Sequence, residues 1–392
     1  MKRIHSGGKA APFILPVLLL LAPLLTHAQT GRESTPAALS PREFGQLSRS
    51  LSEPGGYFDT DNLISNEASY LHVLGPLRER KLTGGAFLGV GPDQGFSYIA
   101  QIRPKIALMI DVRRDNLLQH LLFKGLFAAA PNRLAYLCLL FGKPIPDGLP
   151  SWNERPIEDL IQYLRRTPAS AKAFEAATRA ITPPILASGI ELSEADLATI
   201  RRIHEAFFEG GLDLRFTSHQ RAPRSYYPTF EDLLLETDLT GRKGNYLAEE
   251  ALFQVVKSLQ ERNRIIPVVG DLAGPHSLQA IGRYLREEGQ VVSALYTSNV
   301  EYYLMRSRRG GTVEAPFRQF VQNVAALPRD GRSVLIRSYF HGSWGGPLDQ
   351  SVSGYFSTQL AIPLERFVGE AEAGTYRSYG TLIGSRHHLP PR

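Results

Sequence analysis

One cysteine, Cys138, occurs among the 392 residues. A lone thiol cannot close an internal disulfide, so a cross-linked scaffold is excluded and stability must come from a packed core. Cys138 stands in LAYLCLLFG, between large apolar residues, and reads as a buried thiol. The ten histidines contain no H-E-x-x-H, and the one adjacent pair, His387 and His388, lies in the tail. No metal site is therefore expected. There is no G-K-[ST] phosphate loop and no G-x-S-x-G elbow. The nearest approach to the latter is HGSWGG at 341–346, where Ser343 follows a strand two residues from His341. It reads as a glycine-rich loop, with His341, Trp344 and the preceding Arg337 available to line a pocket mouth.

Charge of one sign is also scarce. The formal net charge is +6, and setting aside Lys2, Arg3 and Lys9 near the start leaves +3 on the remainder. No basic run is interleaved with aromatics, and RSRRGG at 306–311 is short, so no nucleic-acid partner is expected. A single long apolar run exists, Ala11 to Leu25, preceded by those basic residues and followed by THAQT, where Thr26 and Ala28 are spaced as at a signal-peptidase site. This pattern implies a secretory leader over 1–28 and a periplasmic or extracellular protein. At fifteen residues the run falls short of the roughly 20 that span a bilayer. An uncleaved leader acting as a membrane anchor is the alternative, and no further span is expected. No cysteine follows the run, which excludes the usual lipid attachment.

With 43% apolar residues, the remainder can bury a large core. Residues 29–56 are rich in Ser, Pro and Gly and read as a linker with room for one short helix, so folded structure is expected from about Tyr57. The region 57–142 reads helix, strand 86–90, glycine turn, helix 96–102, strand 106–111, helix from 116. Residues 143–245 change character, with Pro-rich connections and helical periodicity, and read as a mainly helical insertion or cap. Ser193 ahead of an acidic first turn marks one helix start there. The region 246–392 resumes the alternation, with strands from Ile265, ending near Asn299, and from Ser333. Alternating strands and helices imply an α/β fold with a mostly parallel, Rossmann-like sheet covered on both faces.

Such a sheet binds ligands beyond the carboxyl ends of its strands. The first strand ends in LGVGPDQG: Gly89 would permit a tight turn and Gly91 close backbone approach, with Gly95 third. The spacing G-x-G-x-x-x-G is one residue longer than the dinucleotide fingerprint, which weakens the case for a pyrophosphate on a helix N-terminus. Asp111, twenty residues past Gly91, closes the second strand where a carboxylate can accept from ribose hydroxyls. Asp271 follows IIPVVG and could either take an exocyclic amine or cap its turn. Within ALYTSNVEYYL, Ser298, Asn299, Tyr302 and Tyr303 lie beyond the next strand, where a substrate would meet a cofactor; Tyr302 and Tyr303 could equally be helix core residues.

The series AFLGVGPDQG, ALMIDVRRDN, IIPVVGDLAG and VVSALYTSNVEYYL resembles the motif series of Rossmann-like S-adenosylmethionine-dependent methyltransferases. More narrowly, it is similar to an uncharacterised family of bacterial proteins, some of them lipoproteins, with that fold. The resemblance covers about 57–340, less most of the insertion. It implies that Gly89, Gly91 and Gly95 lie against the methionine and ribose part of S-adenosylmethionine, that Asp111 holds the ribose, and that Asp271 holds the adenine. By the same resemblance YFDTDNLISNEASY closes over the cofactor through Asn66 and Glu67. Asn299, Tyr302 or His72 would orient a methyl acceptor, beneath a cover supplied by the insertion. The chain departs from the family pattern in having Phe87 and Leu88 where an acidic residue commonly precedes the first glycine, and it lacks the Asn/Asp-Pro-Pro-aromatic signature of base amino-methylating enzymes. Export favours a second expectation, a non-catalytic binding or scaffold protein on the same fold.

Overall fold

The computed structural model describes residues 37–218, 221–305, 315–341 and 348–390, together with Met1, Gly7 and Gly8. Most of the segment expected to be a leader, RSRRGG, Ser343 and Trp344 lie outside the described residues. Residues Ala37–Arg392 form one compact unit. At its centre is a six-stranded sheet of β1 (Ala86–Val90), β2 (Ile106–Asp111), β3 (Ile265–Val269), β4 (Val292–Tyr296), β5 (Val334–Phe340) and β6 (Ser357–Pro363), in the order β3-β2-β1-β4-β5-β6. The first five strands pair in parallel and β6 runs antiparallel to β5. Every residue of β1, β3, β4 and β5 is buried. Successive strand residues face opposite sides, so both faces of the sheet are covered. The fold is α/β.

β3 is a terminal strand of the sheet and carries Pro267, which has no N–H to donate and is tolerated at an edge. An uncovered edge would expose unpaired backbone groups, and here the start of the folded chain covers it. Helix Pro41–Leu51 is capped by Ser40 and buries Phe44 and Leu51. Its Ser48 hydroxyl donates to the Pro267 carbonyl at 2.6 Å, and the Ser52 hydroxyl accepts from Val269 N–H at 3.0 Å. Folded structure thus begins well before Tyr57: the serines that make this stretch look like a linker are a helix cap and partners of the sheet edge.

The insertion supplies helices Ile157–Arg166, Ala171–Leu186, Glu194–Gly210 and Phe230–Leu235. Ser193 caps the third through a reciprocal bond with Asp196. These helices pack on the body. Helix Ala171–Leu186 crosses helix Arg114–Ala129 so closely that a Cβ on Gly125 would lie 2.8 Å from Ile185 Cγ1. The turn after it, at Gly189 with φ +84°, touches the first helix, where a Cβ on Gly189 would sit 1.9 Å from the Pro41 carbonyl oxygen.

Candidate ligand cleft at the switch point

The strand order places β1 between β2 and β4, so the connections leave in opposite directions there and a crevice opens beyond the carboxyl ends. A cavity of about 870 Å³ occupies this position. Its lining includes Asn66, Glu67, Gly91, Asp111, Asp271, Asn299 and Tyr302, brought together from parts of the chain up to 236 positions apart.

Gly89 and Gly95 do not reach it. Gly89 is a residue of β1, paired with Met109 and Tyr296, and a Cβ there would lie 2.6 Å from the Phe87 ring. Its role is close packing, and the turn belongs to Gly91. Gly95 lies in helix Gln94–Ile102, where a Cβ would meet Met109 Cε at 2.7 Å, so it lets that helix settle on the sheet. Gly91 has φ +84°, a left-handed conformation that a side chain would strain. Its carbonyl is held by Asn116 Nδ2 at 3.1 Å and by His120 Nε2 at 3.0 Å, two residues four apart on one face of helix Arg114–Ala129. Burial drives the His120 imidazole down to about 4, so the ring is neutral and donates from Nε2.

Asp111 ends β2 and is gripped by Arg113. Oδ1 accepts from the Arg113 backbone N–H at 2.8 Å and from Nε at 3.0 Å, and Oδ2 accepts from Nη2 at 2.8 Å. Arg113 Nη1 also donates to the carbonyls of Thr60 at 2.8 Å and Asp61 at 3.0 Å, which ties the end of β2 to the segment roofing the cavity. A carboxylate offers about four acceptor positions. Arg113 takes three, leaving one for a ligand hydroxyl. Asp271 is exposed: its N–H donates to Glu53 Oε1 at 2.7 Å, and its Oδ1 accepts from Ala273 N–H at 2.8 Å, so it caps the turn while lining the cleft.

Glu67 is 1% exposed and gathers four side-chain donors. Oε2 accepts from Tyr296 OH at 2.5 Å, Gln359 Nε2 at 2.7 Å and Gln94 Nε2 at 3.4 Å, while Ser298 Oγ donates to Oε1. A buried carboxylate persists only when its lone pairs are filled, as they are here. The network joins the ends of β4 and β6 to the helix after β1. Asn299 begins helix Val300–Leu304, and the Tyr302 ring lies edge-on to Tyr303 and Tyr379, with centroids 5.4 and 5.3 Å away.

Three other expectations fall elsewhere. Arg337 is 1% exposed, bonded through Nε to Glu301 Oε1 at 3.1 Å, and does not line the cleft. His341 bonds Thr358 Oγ1 at 2.6 Å and Ser351 Oγ at 3.0 Å, away from the lining. His72 faces Glu236 at 3.8 Å and the Tyr355 ring at 4.5 Å. Sequence reasoning missed Arg113, Gln94 and Tyr296, and it placed Ser298 beyond its strand, where it lines the cleft. The Arg two residues beyond a strand-ending Asp was the visible signal for the first. The insertion reaches the cleft through Phe216, Ser218, Arg221, Arg224, Tyr226 and Tyr227.

The space beside Gly91 admits a ligand, since nothing lies nearer to its ideal Cβ than Asn62 Nδ2 at 3.7 Å. Among the described residues, no group of three or more His, Cys, Asp or Glu is placed to hold a metal ion. Among the same residues, no helix is long and apolar enough to cross a membrane.

A family model described as a domain of unknown function (DUF7790) matches residues 63–143 and 199–367. The chain belongs to the DUF7790 family. The matched segments carry Glu67, Gly91, Asp111, Asp271, Asn299 and Tyr302 and the cover residues 216–227, whereas helices Ile157–Arg166 and Ala171–Leu186 fall in the unmatched interval. A search of curated proteins found no match.

Proposed function

We propose that this DUF7790 protein binds S-adenosylmethionine or a related nucleoside across the switch point and acts as a methyltransferase on a small acceptor. The observation that carries the reading is the convergence, on one cavity of about 870 Å³, of an open left-handed turn at Gly91 and the carboxylates of Asp111 and Asp271 at three adjacent strand ends. In this reading Gly91 gives close approach, Asp111 Oδ2 accepts a ribose hydroxyl, and Asp271 accepts from the adenine amine. The bound sulfonium supplies an electrophilic methyl group, and the protein's part is to position the acceptor and exclude water. Glu67 fixes Tyr296 and Ser298 at the cavity floor, and Asn299 and Tyr302 border the acceptor side.

A second reading, an exported non-catalytic binding or scaffold protein, is supported by the hold of Arg113 on Asp111, which fills most of the acceptor capacity a ribose would use. Calorimetry separates the two. Titration of the mature chain with S-adenosylmethionine and S-adenosylhomocysteine is expected to give micromolar binding that is lost in Asp111→Ala. Absence of heat with both ligands in the wild type overturns the first reading. We also propose export, tested by the N-terminus of the mature protein: an intact leader on a cytosolic chain overturns it.

A further inference from the structure

Seven charged residues line the cleft, and four of them pair: Asp111 with Arg113 at 2.8 Å, and Asp59 with Arg221. Asp271 and Arg224 are exposed, so water screens their charge. Glu67 is neither paired nor exposed: it is 1% accessible and forms no ion pair among the described residues. It receives hydrogen bonds from Tyr296, Gln359, Gln94 and Ser298. The Tyr296 oxygen already accepts from Gln94, so its proton goes to Glu67, and a carboxyl group that only accepts is in its ionised form. Those donors fill its lone pairs but bring no net charge. One negative charge thus stands uncancelled at the cavity floor, where the low local dielectric extends its reach. A ligand group rich in donors finds few acceptor positions left on Glu67. A cation that carries no donor, such as a sulfonium, needs only to lie near it.

The strand order sets where along a bound nucleoside this charge acts. With the adenine at the end of β3 and the ribose at the end of β2, the 5′ substituent continues past Gly91 at β1 toward β4. Glu67 stands on that side: Gln94 begins the helix after β1, Tyr296 ends β4, and Ser298 lies in the turn beyond it. Ser298 has φ +51°, a left-handed conformation that costs energy in a residue with a side chain, and from it the hydroxyl donates to Glu67. The shell is buried and mutually bonded, so it holds the carboxylate in one place without neutralising it.

We propose that Glu67 is the countercharge for the sulfonium of the bound ligand, so that the cleft selects the charged methyl donor over its neutral thioether product. The inference rests on the proposed function for the identity of that ligand. S-Adenosylmethionine and S-adenosylhomocysteine, which differ by the methyl group and its charge, are titrated calorimetrically into the mature wild type and into Glu67→Gln. The substitution keeps the hydrogen-bonded shell and removes the charge, and its urea midpoint serves as the folding control. The wild type is expected to prefer S-adenosylmethionine by at least about tenfold, and the preference to fall at least about fivefold in the variant. What the methyl group itself contributes is common to both proteins and cancels in that comparison. A smaller wild-type preference, or a smaller fall in a folded variant, overturns the inference, and the wild-type preference decides alone if the variant unfolds. Binding of both ligands without the preference leaves the proposed function standing. No heat from either ligand overturns that function and the inference with it.

Discussion

Glu67 offers the sharpest test of how the cleft floor is held. Its four donors respond differently to loss of the carboxylate. Tyr296, Gln94 and Gln359 are 0%, 6% and 4% exposed, so none can turn to water. In Glu67→Ala the Tyr296 oxygen still accepts from Gln94 Nε2, 2.5 Å away, but the Tyr296 O–H loses its acceptor, as does Gln359 Nε2. Two stranded buried donors cost about 1–3 kcal/mol each and the void adds to this, giving upward of about 3 kcal/mol in total. Glu67→Gln keeps an oxygen opposite Tyr296, Gln94 and Gln359 and turns its amide toward Ser298, whose hydroxyl can accept as well as donate. Its cost is the weakening of charge-assisted bonds, about 1 kcal/mol. Urea unfolding at 25 °C measures both, with unchanged slopes confirming that native and unfolded states keep their compactness. The argument fails if Glu67→Ala costs less than about 1 kcal/mol, or if the two variants cost the same.

Three further outcomes are expected. Gly189→Ala places a methyl 1.9 Å from the Pro41 carbonyl oxygen in a backbone with φ +84°, and is expected to lower stability by about 2–4 kcal/mol in the same urea experiment. The His120 imidazole is pushed by burial to about 4, below its ordinary 6.5, so the unfolded chain takes up the proton first; the stability this neutral ring contributes is complete above pH 6.5 and is lost as pH falls toward 4, about 3 kcal/mol in all. Buried Asp93, raised to about 6, works in the opposite sense, its contribution being complete below the ordinary carboxylate value and lost as pH rises through 6. The measurement is therefore the difference between wild type and His120→Gln from pH 7 to pH 4, and a flat difference refutes it. Burial pushes the Cys138 thiol up to about 12, so a disulfide reagent at pH 8 is expected to label it only in denaturant; rapid labelling of the native protein contradicts that placement.

β1 and β2 were legible because parallel strands buried on both faces read as unbroken apolar runs between glycine and charged stops, and residues 86–90 and 106–111 fall where those runs end. β6 was not legible. STQLAIP puts Ser357, Thr358 and Gln359 in the core, and polar residues at core positions look like loop until their partners are known. Those partners are remote: Gln359 meets Glu67 across 292 positions, and Ser357 meets Ser69 across 288. Local periodicity cannot report such pairs. The helix at 41–51 was obscured in the same way, since Ser48 and Ser52 are sheet-edge partners 219 and 217 positions from theirs. The glycine loop and Asp111 were legible as residues of a strand end, yet the spacing could not reveal that Gly89 packs within the strand or that Arg113 turns back on Asp111.

That turn of Arg113 bears on how the cleft works. One guanidinium holds Asp111 with two nitrogens and the Thr60 and Asp61 carbonyls with the third, so the strand end and the roof share a single strut. A ligand hydroxyl that takes the remaining position on Asp111 leaves the strut in place, whereas one that displaces Nη2 also alters the hold on the roof. The floor has no such freedom, since Glu67, Gln94, Tyr296 and Gln359 are buried and mutually bonded. Adjustment to a ligand is therefore expected at Arg113 and the Thr60–Asp61 segment it holds, while the buried network of Glu67, Gln94 and Tyr296 at the ends of β1 and β4 stays fixed.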